Sequence, residues 1–105
     1  MTQTIVQHEA VLNSAVNGAE LAAQVELAIA ASERVTLDLS NVRRVTPSFA
    51  NAFVMSVLEV TRATSLSSIV EIQSDQRIVI SAFADAESRY QRGIRLSSQQ
   101  PVTTT

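Results

Sequence analysis

With no cysteine anywhere in its 105 residues, the chain is barred from thiolate catalysis, disulfide frameworks and zinc centres built on sulfur. Only two glycines are present, Gly18 and Gly93, far apart, so no glycine cluster exists to cradle a phosphate group. The single histidine, His8, would have to serve alone in any serine–histidine pair or imidazole metal site; it is expected to be an ordinary surface or partly buried residue. Lysine is missing too, and all eight basic residues are arginine. With aromatics at 4%, the core must be aliphatic. The net charge of -2 offers no general attraction to nucleic acid or to an anionic membrane. No apolar run approaches the roughly 20 residues that span a bilayer. Met1-Thr2-Gln3-Thr4 has no charged region followed by an apolar stretch, so no signal peptide is expected. A cytoplasmic domain without cofactor or metal is the expectation.

What is present is an apolar fraction of 46%, enough for one domain with a real core. Ile5 to Leu12 is expected to be a bent or edge strand, with Val6, Ala10 and Leu12 on one side. Asn17-Gly18-Ala19-Glu20 suggests a helix start capped by Asn17, with Leu21, Val25, Ala28, Ile29 and Ser32 on one face. Val35 to Leu39 alternates as a strand, closed by Ser40-Asn41. A short connection from Val42 to Val45 carries Arg43 and Arg44. Thr46-Pro47-Ser48 then starts a helix reaching about Arg62. Phe49, Ala52, Phe53, Ser56, Val57 and Val60 share one of its faces, while Val54, Met55 and Leu58 form a second apolar face beside Asn51.

Ala63 to Ser68 reads as a loop and Ile69 to Ile72 as a strand. Ser74-Asp75 can cap a last helix with a stripe of Val79, Ala82, Phe83, Ala86 and Tyr90, stopped by Gly93. A hairpin over Ile69 to Ile80 is the alternative, since Ile78 and Ile80 also alternate; the stripe reaching Tyr90 favours the helix. One domain over residues 1–96 and a disordered polar tail over 97–105 complete the layout. Strands alternating with helices imply an α/β fold: a small, mostly parallel sheet of three to four strands with three helices.

Asp38 lies at the end of the expected central strand, where open α/β sheets gather ligands. No acid stands beside it and no lysine exists, so a phosphate-accepting receiver site cannot be assembled. Its ordinary role is a turn-forming side chain that bonds loop backbone. Arg77, Arg89, Arg92 and Arg95 are interspersed with Asp85 and Glu87, the pattern of a solvated helix face.

The run Val35-Thr36-Leu37-Asp38-Leu39-Ser40-Asn41-Val42, followed by Pro47-Ser48-Phe49-Ala50-Asn51, resembles the STAS-like domains. These are compact bacterial relatives of the STAS domains in anti-sigma factor antagonists and sulphate transporter tails. The likeness is clear over Val35 to Leu58 and looser through Tyr90. It implies a STAS-like fold and a regulatory, non-enzymatic interaction module. In the antagonists a kinase partner phosphorylates a serine at the matching helix start, which here is Ser48. The antagonist pattern places an acid and a second serine before that serine and a glycine after it. Here Thr46, Pro47 and Phe49 stand in those places.

The resemblance therefore implies docking through Arg43, Arg44, Thr46, Ser48, Asn51, Val54, Met55 and Leu58. The partner would be a regulatory protein such as a kinase-like ATPase of the anti-sigma type. A homodimer through Val54, Met55 and Leu58 is a further expectation, as is coverage of those residues within the domain. The alternative function is a small-molecule or nucleotide sensor with a pocket near Asp38 and Ser48.

Overall fold

The β-branched, alternating segments become parallel strands, and the segments spaced by three and four become helices. A computed structural model of the chain describes residues 2–31 and 34–99. In order these are β1 (Thr2–Val6), β2 (Val11–Leu12), α1 (Ala15–Ala31), β3 (Arg34–Asp38), β4 (Arg44–Val45), α2 (Pro47–Thr61), a 3-10 turn (Leu66–Ser68), β5 (Val70–Gln73) and α3 (Arg77–Gln99). The three long strands form one parallel sheet in the order β1-β3-β5, with Thr4, Thr36 and Glu71 in register. β2 and β4 form a separate parallel pair, Val11 against Arg44 and Leu12 against Val45. This is the expected α/β architecture of three helices on a small parallel sheet.

Strand alternation sorts the sheet into two faces. Val35, Leu37 and Val70 are buried, with Ile5 and Ile72 packed against the same core. The register partners Thr4, Thr36 and Glu71 make the opposite face, which is polar. The core is aliphatic apart from Phe49, Phe53 and Phe83, as the composition requires. Phe53 and Phe83 meet edge to face at 5.5 Å between centroids, joining α2 to α3.

Several expectations are corrected. Ile5 to Leu12 is two strands in two sheets, separated by the polar stretch Gln7 to Ala10; His8 lies in that connection and is exposed. The Val42 to Val45 connection contains β4, which pairs with β2. Helix α1 is capped by Ser14, not Asn17: the Ser14 hydroxyl accepts from the Asn17 N–H at 3.2 Å. Asn17 sits inside the helix and donates its side-chain amide to the Asn13 carbonyl at 3.1 Å.

Gly18 is held within α1 by a tertiary contact. A Cβ built there would strike the Phe49 carbonyl oxygen and lie 3.1 Å from its carbon. Only glycine lets α1 come this close to the first turn of α2. Gly93 does not stop α3, which runs on to Gln99. The helix is already docked through Val79, Phe83 and Ala86, so one exposed glycine does not end it. The hairpin alternative is overturned as well, since Ile78 and Ile80 are exposed residues of α3. Ser74 accepts from the Gln76 N–H at 3.0 Å, fixing the turn just before the helix. Residues 97–99 are the last of α3; residues 100–105 of the expected tail, and Ser32, lie outside the described residues.

Candidate functional site

The connection into α2 is pinned by its backbone. The Arg43 and Arg44 N–H groups both donate to the Ala10 carbonyl, at 2.7 and 3.2 Å, and the Thr46 N–H donates to the Leu12 carbonyl at 2.9 Å. Val42 and Val45 are buried beneath it. The chain is thereby held rigid while the Arg43 and Arg44 side chains stand in solvent.

Thr46 is the N-cap of α2. Its backbone is extended, and its hydroxyl accepts from the Phe49 N–H at 3.3 Å. Pro47 fills the first helical position, where its missing N–H costs nothing. The capping duty thus falls on Thr46 and leaves Ser48, the second residue of the helix, exposed with its hydroxyl outside the cap.

Along the exposed side of α2 follow Asn51 and Met55. Asn51 Oδ1 accepts two hydrogen bonds from the Arg89 guanidinium of α3, from Nε at 3.2 Å and Nη2 at 2.9 Å. Met55 is 48% exposed, an apolar side chain beside this polar pair. Val54 and Leu58, expected to share that exposed face, are instead in the core; Leu58 is 2% exposed. Conversely Val60, expected to share a face with Phe49, Phe53 and Val57, is 61% exposed. The reason is that α2 packs against α1 on one side and α3 on the other, so Phe49, Ala50, Phe53, Val54, Val57 and Leu58 are all enclosed. Val54 and Leu58 are therefore unavailable to a partner or a second copy, and Met55 alone of the three reaches the surface.

Arg89 was grouped with the solvated basic face of α3, and nothing in its local spacing singles it out. Its link to Asn51 joins residues 38 positions apart in the chain. Glu26 of α1 likewise accepts from the Ser56 hydroxyl of α2 at 2.7 Å, tying the two helices on their other side.

Asp38 behaves as a loop-forming side chain. Its Oδ1 accepts from both the hydroxyl and the backbone N–H of Ser40, the latter at 3.0 Å. The Ser40 hydroxyl first, and then its N–H, hold the Asp38 carboxyl below its ordinary range, with a smaller contribution from His8. Neither Asp38 nor Ser48 lines any of three surface clefts. One sits between the end of α2 and α3 around Arg62 and Tyr90. A second is bordered by Glu9, Asn17 and Glu20, and also by Gln7, whose N–H donates to the Asp38 carbonyl at 3.1 Å, and by Phe49, next to Ser48; a third lies between β5 and α3. The second cleft therefore adjoins the neighbours of Asp38 and Ser48, where the sensor alternative expects its pocket, without being lined by either residue. Among the described residues no group of three or more histidine and carboxylate side chains converges as a metal site, and no helix is long and apolar enough to cross a membrane.

Fold and site together define a small α/β module whose candidate site is a rigid, exposed corner. The chain belongs to the STAS-like domain family: the family model described as "STAS-like domain of unknown function (DUF4325)" matches residues 17–75. The matched stretch covers nearly all of α1 and then β3, β4, α2 and β5, and so contains the whole corner except Arg89. No curated protein and no solved structure matches the chain.

Proposed function

We propose that this chain is a non-enzymatic regulatory module that docks another protein through the Arg43 to Ser48 connection and the exposed start of α2. The observation that carries the reading is the division of labour at that start. Thr46 takes the cap, which leaves Ser48 exposed on a backbone held by β2 and the residue before it. A preformed surface loses little conformational freedom on binding, which favours recognition. Arg43, Arg44, Ser48, Asn51 and Met55 supply charge, hydrogen-bonding groups and one adaptable apolar contact. The partner is a cytoplasmic regulatory protein, with a kinase-like ATPase of the anti-sigma type as the resemblance implies. Phosphorylation of Ser48 adds roughly -1.5 to -2 charge to this surface and so releases or blocks the partner.

Affinity capture from native extract tests this, with the wild-type chain, Ser48→Asp and the double variant Arg43→Glu/Arg44→Glu compared side by side. All three should show the same folded far-UV spectrum. A specific protein retained by the wild type and lost by both variants is the expected result. Equal retention by all three would move the docking surface elsewhere. Absence of any specific protein with the wild type would remove the reading.

A further inference from the structure

The exposed Arg89 directs two of its five N–H donors at the neutral side chain of Asn51. Among the described residues it makes no ion pair. Asn51 lies three residues after Ser48, the neighbouring position on the same helical face, with Cβ atoms about 5–6 Å apart. A cation carried by α3 is thus held one turn from the exposed hydroxyl of α2.

The backbone at this helix start has little left to offer an anion. The Thr46 N–H is bonded to Leu12, Pro47 has none, Phe49 is taken by the Thr46 hydroxyl and Ala50 by the Thr46 carbonyl. Only the Ser48 amide remains, so an anion here depends on side-chain donors. Resting on the reading of Ser48 as a modification site, we propose that Arg89 receives a phosphate carried on Ser48, exchanging its neutral partner Asn51 for it.

The exchange is favoured by chemistry. A charge-assisted bond from guanidinium to phosphate is roughly twice as strong as a neutral one, and the planar fork fits two phosphate oxygens at once. Arg43 and Arg44 approach from the chain before the helix, whereas Arg89 comes from a separate element and Asp85 lies one turn before it on α3. A phosphate held by Arg89 therefore links α2 to α3 across the exposed face that carries Met55. Modification then alters the shape of the docking surface as well as its charge.

The test uses the purified chain with phosphoserine genetically encoded at position 48, without any partner. Phosphorus NMR titrations follow the second phosphate ionisation in otherwise wild-type protein, in Arg89→Gln and in Arg43→Gln/Arg44→Gln. Nitrogen–proton spectra follow the Arg89 Nε–H with and without the phosphate. The ionisation should lie below that of Arg89→Gln by about half a unit or more, and the Arg89 Nε–H resonance should move on phosphorylation. Identical titrations with and without Arg89, an unmoved Arg89 resonance, or a shift lost only in Arg43→Gln/Arg44→Gln would each overturn the assignment. Because Arg89 is exposed, its variant keeps the fold. The outcome is independent of whether capture finds a partner, so failure of the docking reading and failure of this contact are separable.

Discussion

Replacing glycine by alanine at positions 18 and 93 is the same chemical change in two helices, and the structure gives it opposite signs. In a helix interior, alanine is favoured over glycine by up to about 1 kcal/mol. At Gly93 a new Cβ meets nothing within 4 Å, so that gain should appear nearly undiluted. At Gly18 the Cβ falls on the Phe49 carbonyl oxygen, which is backbone and cannot swing aside as a flexible side chain would. Overpacking of this kind costs about 1–3 kcal/mol and occasionally more. Relief requires α1 to back away from α2, which also loosens Leu21, Ala22 and Val25 in the core. The upper part of the range applies, and the net loss after the propensity gain is about 2 kcal/mol. For a domain near this size, each kcal/mol moves Tm by roughly 4–8 °C. Gly18→Ala should therefore lower Tm by roughly 10 °C while Gly93→Ala raises it by a few degrees. Circular dichroism melts, with urea unfolding to check that the slope is unchanged, measure both. A Gly18→Ala chain as stable as the wild type, or more so, would refute the close approach of the two helices.

Leu58→Asp places a charge in the core and should lower stability in urea unfolding by more than about 4 kcal/mol, a large part of a total of about 5–15; Met55→Asp, at an exposed site, should keep near wild-type stability and the native far-UV spectrum. Thr46→Ala should cost about 1 kcal/mol in urea unfolding and Thr46→Ser should recover most of it, whereas Ser48→Ala should change stability by less than about 0.5. Asp38 has a folded-state ionisation below the ordinary 3.8. Its contribution is therefore present above that value and is lost as pH falls through the lowered folded one. Ser40→Ala should raise the Asp38 ionisation in a carbon-detected titration and reduce the acid dependence of stability in that window; an unchanged titration would contradict the loop geometry.

The order of the long elements was legible because each carries its own period, and alternation and the Val79 to Tyr90 stripe located β3 and the body of α3, though not the end of α3 beyond Gly93. Periodicity fails in α2 for a physical reason. Two adjacent stripes are apolar, and the spacing alone cannot tell that helices flank both, which hides Val54 and Leu58 and leaves Val60 outside. β4 is two residues long, too short for any period to register. Spacing also does not separate Ser14 from Asn17 as the first cap, since both are good caps within one turn; in the fold the Ser14 hydroxyl accepts from the Asn17 N–H, and Asn17 bonds back to Asn13. At the candidate site, Arg43, Arg44, Thr46 and Ser48 were visible as a local motif. The Asn51–Arg89 bond was not, because it joins elements that only the folded chain brings together.

The parallel register also governs how the chain reaches this state. Thr2 pairs with Arg34, Val11 with Arg44 and Val35 with Val70, so every strand partner lies more than thirty residues away. Among the described residues no tight hairpin offers a nucleus for the sheet, and each pairing waits for an intervening helix to close its loop. Helices can form early on their own, but β3 gains its neighbours only when the crossovers on both sides have been made. Such a topology folds slowly for its size and leaves the central strand β3, with Val35 and Leu37, unpaired during the search, open to association with other chains. Mutations that weaken α1 or α2 should therefore slow folding and lower the yield of folded protein even where the final state remains stable.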